Sequence, residues 1–141
     1  MRLFFDADKY IKRVDSPRVD RSLTRKEQIL SYLSKYYDMF THEYLEDVFT
    51  ACRNYVEETF DDQDGDPGNT TSPEVQAVTI IIKGLQDFSG RLDDFKYMRI
   101  LAAKEAFKLY GAMISKALEY DIIDRKQARR RIARYYKQCG L

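Results

Sequence analysis

The chain has few of the residues from which catalytic and metal sites are built: one histidine, two cysteines and six glycines among 141 residues. A single histidine excludes a metal site made of several histidines, and a histidine-based triad would have to use His42 alone. No two glycines have the spacing of a phosphate-binding loop. The sequence contains no apolar run long enough for a signal peptide or a membrane span, so we expect a cytoplasmic protein without membrane association.

The two cysteines, Cys52 and Cys139, lie far apart in the sequence and do not have the spacing of metal ligands. Each falls on the apolar side of a predicted helix, and free cysteine packs as a small hydrophobic residue. We therefore predict that both are reduced thiols in the core.

Two acidic motifs imitate known sites without the surroundings that such sites need. The segment from Asp62 to Asp66 has the alternating carboxylates of a calcium loop, but Pro67 and Pro73 occupy the positions of the required glycine and glutamate. The segment from Leu3 to Asp8 contains the Asp-x-Asp pattern of haloacid-dehalogenase-type phosphotransferases, but no alternation of strands and helices follows it. We expect no enzyme activity, no metal and no cofactor.

Helix start signals and apolar periodicity predict the first half of the fold. Thr24 and Glu27 have the form of a capping box, so a helix begins there. Apolar residues then recur every three to four positions as far as Tyr55. This pattern fits one helix to about Phe60, or two helices with a break at Thr41, and the sequence leaves both open. The turn-forming, acidic segment 61–72 is predicted to be a mobile loop.

Three further helices are predicted in the second half. Ser72 and Pro73 supply a cap and a first-turn proline for a helix that ends at Ser89-Gly90. A long pattern from Asp93 or Asp94 to Leu118 predicts the central helix, and Asp124 caps the last one. Residues 1–20 are predicted as an arm or a short helix capped by Asp6. The sequence thus indicates a single all-α domain over 1–141, a bundle of about five helices.

Charge is distributed unevenly along the chain. Residues 125–141 contain seven lysines and arginines and no acid, whereas the whole chain has a net charge of +1, so the other 124 residues carry −6. Segment 124–139 is predicted to be a basic amphipathic helix, with Ala128, Ile132, Tyr135 and Cys139 on one stripe. Most of its cations fall on the other side, and five of them are the predicted nucleic-acid-binding residues: Lys126, Arg129, Arg130, Arg134 and Lys137.

These patterns favour a non-catalytic binding protein. We expect a small accessory or regulatory subunit of a nucleoprotein assembly, whose last helix contacts the RNA or DNA backbone while Tyr136 is available to stack on bases. The alternative is an adaptor or inhibitor whose basic helix docks on an acidic protein surface. A bundle of this size has difficulty burying eleven tyrosines and eight phenylalanines, which also favours a homo-oligomer or a docked protein partner.

Overall fold

The computed structural model describes residues 5–40, 43–60 and 71–141, and these residues form helices and no strand. The predicted all-α bundle is therefore confirmed. Its five α-helices are α1 (Arg25–Met39), α2 (Glu46–Thr59), α3 (Pro73–Ser89), α4 (Arg99–Glu119) and α5 (Arg125–Gln138). Three short 3-10 helices accompany them, at Ala7–Tyr10, Glu43–Leu45 and Leu92–Met98.

Three α-helices begin at the predicted caps. Thr24 and Glu27 form the reciprocal capping box of α1, each backbone N–H donating to the other's side chain at 3.3 Å. The Ser72 hydroxyl accepts from the backbone N–H of Val75 at 3.2 Å, at the start of α3. These bonds satisfy amide groups that have no partner inside a helix, so the local sequence determines where the helices start.

Segment 25–60 forms two helices, which decides between the two arrangements that its periodicity allowed. α1 ends at Met39, and α2 begins at Glu46 after a one-turn 3-10 helix. Thr41, the predicted position of the break, and His42 lie outside the described residues, as do residues 61–70 of the predicted acidic loop.

The central helix begins later than its apolar pattern predicts. Asp93 and Asp94 belong to the 3-10 helix Leu92–Met98, and α4 starts only at Arg99. Lys96 interrupts the helical backbone with φ 47° and ψ −107°. The apolar spacing continues across this break because Leu92 is buried and Phe95 is half-buried against the same core. Periodicity reports which residues face the core and cannot show a local change of backbone direction.

Helices α3 and α4 form the centre of the bundle. α3 packs against α1, α2 and α4, and α5 lies mainly on α4. Small residues of α4 permit this close packing, since Ala102, Ala103 and Ala106 are fully buried. Cys52 and Cys139 are free thiols at 4% and 0% exposure, as predicted. Burial raises the pKa of Cys52 to about 12 and that of Cys139 to about 11, so both stay protonated at neutral pH.

The N-terminal segment combines both predicted forms. Asp6 caps the 3-10 helix Ala7–Tyr10, and irregular chain follows to Thr24. This segment is anchored to α4 by Lys116, whose side chain is 1% exposed and donates to the Ser16 hydroxyl at 2.9 Å. The N-terminal segment consequently packs against α4 and α5.

Candidate functional site

Helix α5 is fixed to the bundle by its apolar stripe. Ala128, Ile132, Tyr135 and Cys139 are all at most 1% exposed, which confirms the predicted buried face. The Tyr135 ring stacks on that of Tyr110 with 4.0 Å between centroids, and its hydroxyl donates to the backbone carbonyl of Leu85 at 2.8 Å. Asp124 and Gln127 complete the predicted capping box at 2.7 and 2.9 Å. The remaining side chains of α5 are held in defined directions.

The five predicted phosphate-binding residues fall into three groups. Lys126, Arg130 and Lys137 are exposed on the outer side of α5, opposite the buried stripe. Within residues 5–40, 43–60 and 71–141, no carboxylate lies at ion-pair distance from any of these three side chains. Their charges therefore face solvent and are available to a partner.

Arg129 forms the second group because it contacts an acid of its own chain. Its Nε donates to Asp8 Oδ1 at 2.9 Å, and the Arg125 guanidinium lies 4.0 Å from the same oxygen. The hydrogen bond from Arg129 has the largest effect on the pKa of Asp8 and lowers it. Desolvation opposes this effect, and the charges of Arg129 and Arg125 lower the pKa further. The same contact raises the pKa of Arg129. One of the five predicted cations is thus partly neutralised inside the protein.

Arg134 forms the third group, together with Arg131, which is not among the five predicted residues. Both line a polar cleft of about 320 Å³ between α5, α4 and the end of α3. The cleft is also lined by Gln86, Tyr110, Tyr135 and Gln138. Helical spacing places Arg131 beside the buried stripe of α5. The sequence alone could therefore have indicated that this residue lies next to α3 and α4, where the cleft is found.

The cleft presents hydrogen-bond donors to an anion. Gln86 Nε2 donates to the Tyr110 hydroxyl at 3.4 Å, so the hydroxyl proton of Tyr110 can point to another acceptor. Burial raises the pKa of Tyr110, while the Gln86 bond and the charges of Arg131 and Arg134 lower it by less. The hydroxyl is therefore protonated at neutral pH. Two guanidinium groups beside a neutral hydroxyl are suited to an oxyanion such as phosphate.

Tyr136, the residue predicted to be available for base stacking, packs against two aromatic side chains of its own chain. Its ring stacks on Phe5 at 4.3 Å between centroids and meets the edge of Phe107 at 5.4 Å. Phe5 therefore covers one face of the ring, and a nucleic-acid base could stack on that face only by displacing Phe5. The cations of the predicted site are thus present on α5, whereas Tyr136 packs against other aromatic side chains of the fold.

The chain matches no protein-family model, no curated protein and no solved structure at a significant level. In the described part of the chain, no group of three or more histidine, cysteine, aspartate or glutamate residues has the arrangement of a metal site. None of the described helices combines the length and apolar character that crossing a membrane requires. The geometry of α5 is consequently the main basis for a functional proposal.

The contact between Asp8 and Arg129 makes a testable prediction. Because the pKa of Asp8 is lowered from 3.8, the pair stabilises the fold above that pH and loses this contribution as the pH falls. If α5 binds a nucleic-acid backbone as the sequence predicts, Asp8→Asn should release Arg129 for one further phosphate contact and steepen the dependence of log K on log salt by about 0.9. The measurement is the affinity for a labelled nucleic acid, determined by fluorescence anisotropy at several salt concentrations. Asp38→Asn on α1 is the control, because it makes the same change of charge away from α5. An unchanged slope would show that Arg129 does not contact phosphate even when unpaired.

Proposed function

We propose that the protein is a non-catalytic nucleic-acid-binding subunit that grips the phosphate backbone of RNA or DNA through α5. The observation that carries this proposal is a set of five α5 cations without a carboxylate partner among the described residues: Lys126, Arg130, Arg131, Arg134 and Lys137. Exposed lysine and arginine bind phosphates through charge and release condensed counterions. Arg129 contributes when its bond to Asp8 opens.

The dimensions of the helix suit a run of phosphates. Lys126 and Lys137 are eleven residues apart in α5, a separation of about 16 Å at the α-helical rise. One strand of a duplex advances by about 3.4 Å per nucleotide, so this distance covers about five phosphates along the axis. Cations distributed over that length hold the phosphate backbone in position but do not contact the bases. We therefore expect binding without strong sequence preference.

A second surface supports the proposed role as an accessory subunit. Tyr97, Met98, Ile100 and Leu101 are between 43% and 99% exposed around the start of α4. A cluster of exposed apolar side chains is typical of a protein-binding surface. In this proposal the cluster contacts a protein of the nucleoprotein assembly while α5 contacts the nucleic acid. The reduced, buried cysteines are compatible with the cytoplasmic location that we propose for the assembly.

The test is fluorescence anisotropy of labelled single- and double-stranded RNA and DNA over a range of salt concentrations. The variant Arg130→Glu/Arg134→Glu/Lys137→Glu should flatten the slope of log K against log salt by about three, because about one unit is lost for each phosphate contact. The control Arg18→Glu/Arg53→Glu/Lys83→Glu makes the same change of charge at exposed positions outside α5. Circular dichroism checks that both variants fold.

Two results would reject the proposal. One is the absence of binding to all four nucleic acids at low salt, and the other is an equal loss of binding in the control variant. The first result would leave the alternative of an adaptor or inhibitor that docks α5 on an acidic protein surface. The Arg129–Asp8 contact favours that alternative as the second candidate, because it shows that α5 already binds a carboxylate in this protein.

A further inference from the structure

A cavity of about 830 Å³ lies among four parts of the chain: the N-terminal segment, the end of α1, helix α4 and the end of α5. Its apolar walls include Val14, Phe40, Phe107 and Tyr136. Met39, which is 51% exposed, lies at the same opening. Cavities of about 300–1,000 Å³ with mainly apolar walls are characteristic of small-molecule sites.

The polar residues at the cavity are mostly basic. Lys12 and Arg13 approach it from the N-terminal segment, and Lys104 and Lys108 approach it from α4, where they lie one turn apart. Among the lining residues that the structure describes, Asp15 has the one acidic side chain. In the described parts of the chain, none of the four cations has a carboxylate at ion-pair distance. All four are exposed, so they can meet an anion at the opening without first breaking an internal pair.

The walls are shaped by packing inside the fold. Tyr10, another wall residue, meets the Phe107 ring edge-on with 4.6 Å between centroids, and Phe107 meets Tyr136 at 5.4 Å. A Cβ atom added to Gly111 would lie 3.0 Å from the Tyr10 carbonyl oxygen, so this glycine permits the N-terminal segment to approach α4. The site is thus formed by residues from four separate chain segments.

We propose that this cavity binds an anionic amphiphile, a molecule with an apolar chain and a carboxylate or phosphate head. The apolar chain would replace water against the valine and aromatic walls, which is favourable in proportion to the apolar area buried. The acidic head would remain at the opening between the cations of the N-terminal segment and those of α4. A cationic amphiphile of the same length would meet four like charges and one carboxylate, that of Asp15, so the charge of the lining favours an anionic head group.

This site is separate from the proposed nucleic-acid contact. Its four cations lie outside α5, and the three outward-facing cations of α5, Lys126, Arg130 and Lys137, do not line the cavity. Either proposal can therefore fail without the other.

The test is isothermal titration calorimetry of the whole chain with monomeric dodecanoate, and with dodecyltrimethylammonium as the probe of equal length and opposite charge. We expect dodecanoate to bind at least about tenfold more tightly than the cation, a difference equivalent to about 1.4 kcal/mol. Lys104→Glu/Lys108→Glu should weaken dodecanoate binding by about tenfold or more. Lys126→Glu/Lys137→Glu, which makes the same change of charge on α5, should leave it nearly unchanged.

A second variant tests the apolar part of the site. Met39 is already half exposed, so Met39→Glu should preserve the fold while placing a carboxylate against the bound chain. We expect it to abolish dodecanoate binding, whereas Met39→Leu should retain it. Retained binding in Met39→Glu, equal binding of the cationic amphiphile, or equal weakening by the α5 variant would each overturn the proposal.

Vesicles distinguish the source of the ligand. Phosphatidylcholine vesicles with and without phosphatidylglycerol are added in a sedimentation assay to the wild type and the Met39→Glu variant. Dodecanoate binding without vesicle binding identifies a free acid as the ligand. Binding to both, each lost in Met39→Glu, supports the same site with a bilayer as the source. Vesicle binding without dodecanoate binding would reject the cavity, as would capture of an acidic amphipathic peptide by a protein that does not bind dodecanoate.

Discussion

Tyr135→Ala is expected to destabilise the protein by about 3–5 kcal/mol, the usual cost of truncating a fully buried aromatic side chain to alanine. Tyr135 is 1% exposed, stacks on Tyr110 and bonds the carbonyl of Leu85. It therefore connects α5 to both α3 and α4. Because small domains are stable by only about 5–15 kcal/mol, this one substitution should remove a large part of the total free energy of unfolding.

Urea unfolding followed by circular dichroism measures this loss, and Tyr135→Phe is the matched control. The phenylalanine variant keeps the stacked ring and removes only the hydroxyl, so it should cost about 1 kcal/mol, the usual net contribution of one hydrogen bond. A loss below about 1 kcal/mol for Tyr135→Ala would contradict the described docking of α5, since it would fall outside the range for buried aromatic residues. Under the functional proposal, Tyr135→Ala should also weaken nucleic-acid binding, because the cations of α5 would no longer be held in place.

The helices could be predicted from local sequence because their start signals act over only three or four residues. Thr24 with Glu27 and Asp124 with Gln127 satisfy backbone groups in their own first turn, as does Ser72, which is followed by a proline that has no N–H to satisfy. The buried stripe of α5 was predictable for a similar reason, since helical geometry alone places its members on one side. These signals place the starts of three of the five α-helices, whereas α2 and α4 begin without a side-chain cap.

Features that depend on contacts between distant residues could not be predicted in this way. Asp8 and Arg129 are 121 positions apart, and no periodicity connects them. The basic helix therefore appeared uniformly available from its sequence, whereas the structure pairs Arg125 and Arg129 and leaves other cations unpaired. The late start of α4 has a different cause: Lys96 adopts a positive φ that its residue type does not favour.

The cavity illustrates the same difference between local and distant information. Its cations come from an irregular segment and from α4, and its aromatic walls combine Phe40, Phe107 and Tyr136 from three separate parts of the chain. Tyr136 is the clearest case, since its position at the edge of the α5 stripe was predictable but its stacking on Phe5 was not. A composition rich in aromatic residues predicts large contact areas without showing which rings meet.

The close approach of α2 and α3 at Gly84 gives the second large expected effect. A Cβ atom at this position would lie 2.8 Å from Cys52 Sγ and 3.4 Å from Val48 Cγ1, so the first distance is too short without a shift. Alanine is better than glycine inside a helix by about 1 kcal/mol, but overpacking a core typically costs about 1–3 kcal/mol. We therefore expect Gly84→Ala to be destabilising in the wild-type chain.

Removing the sulfur should reverse the sign of that effect. In a Cys52→Ala background the short contact is absent, so Gly84→Ala should become stabilising by up to about 1 kcal/mol, the helix-propensity gain alone. The four proteins of this double-mutant cycle, compared by urea unfolding, should give a coupling free energy of about 2 kcal/mol, within the range for residues in contact. Additive effects would show that α2 and α3 are farther apart than described. The expected coupling, in which the double variant is more stable than the two single variants predict, would show that the contact between α2 and α3 requires glycine at position 84. Glycine is then kept there despite its lower helix propensity in α3.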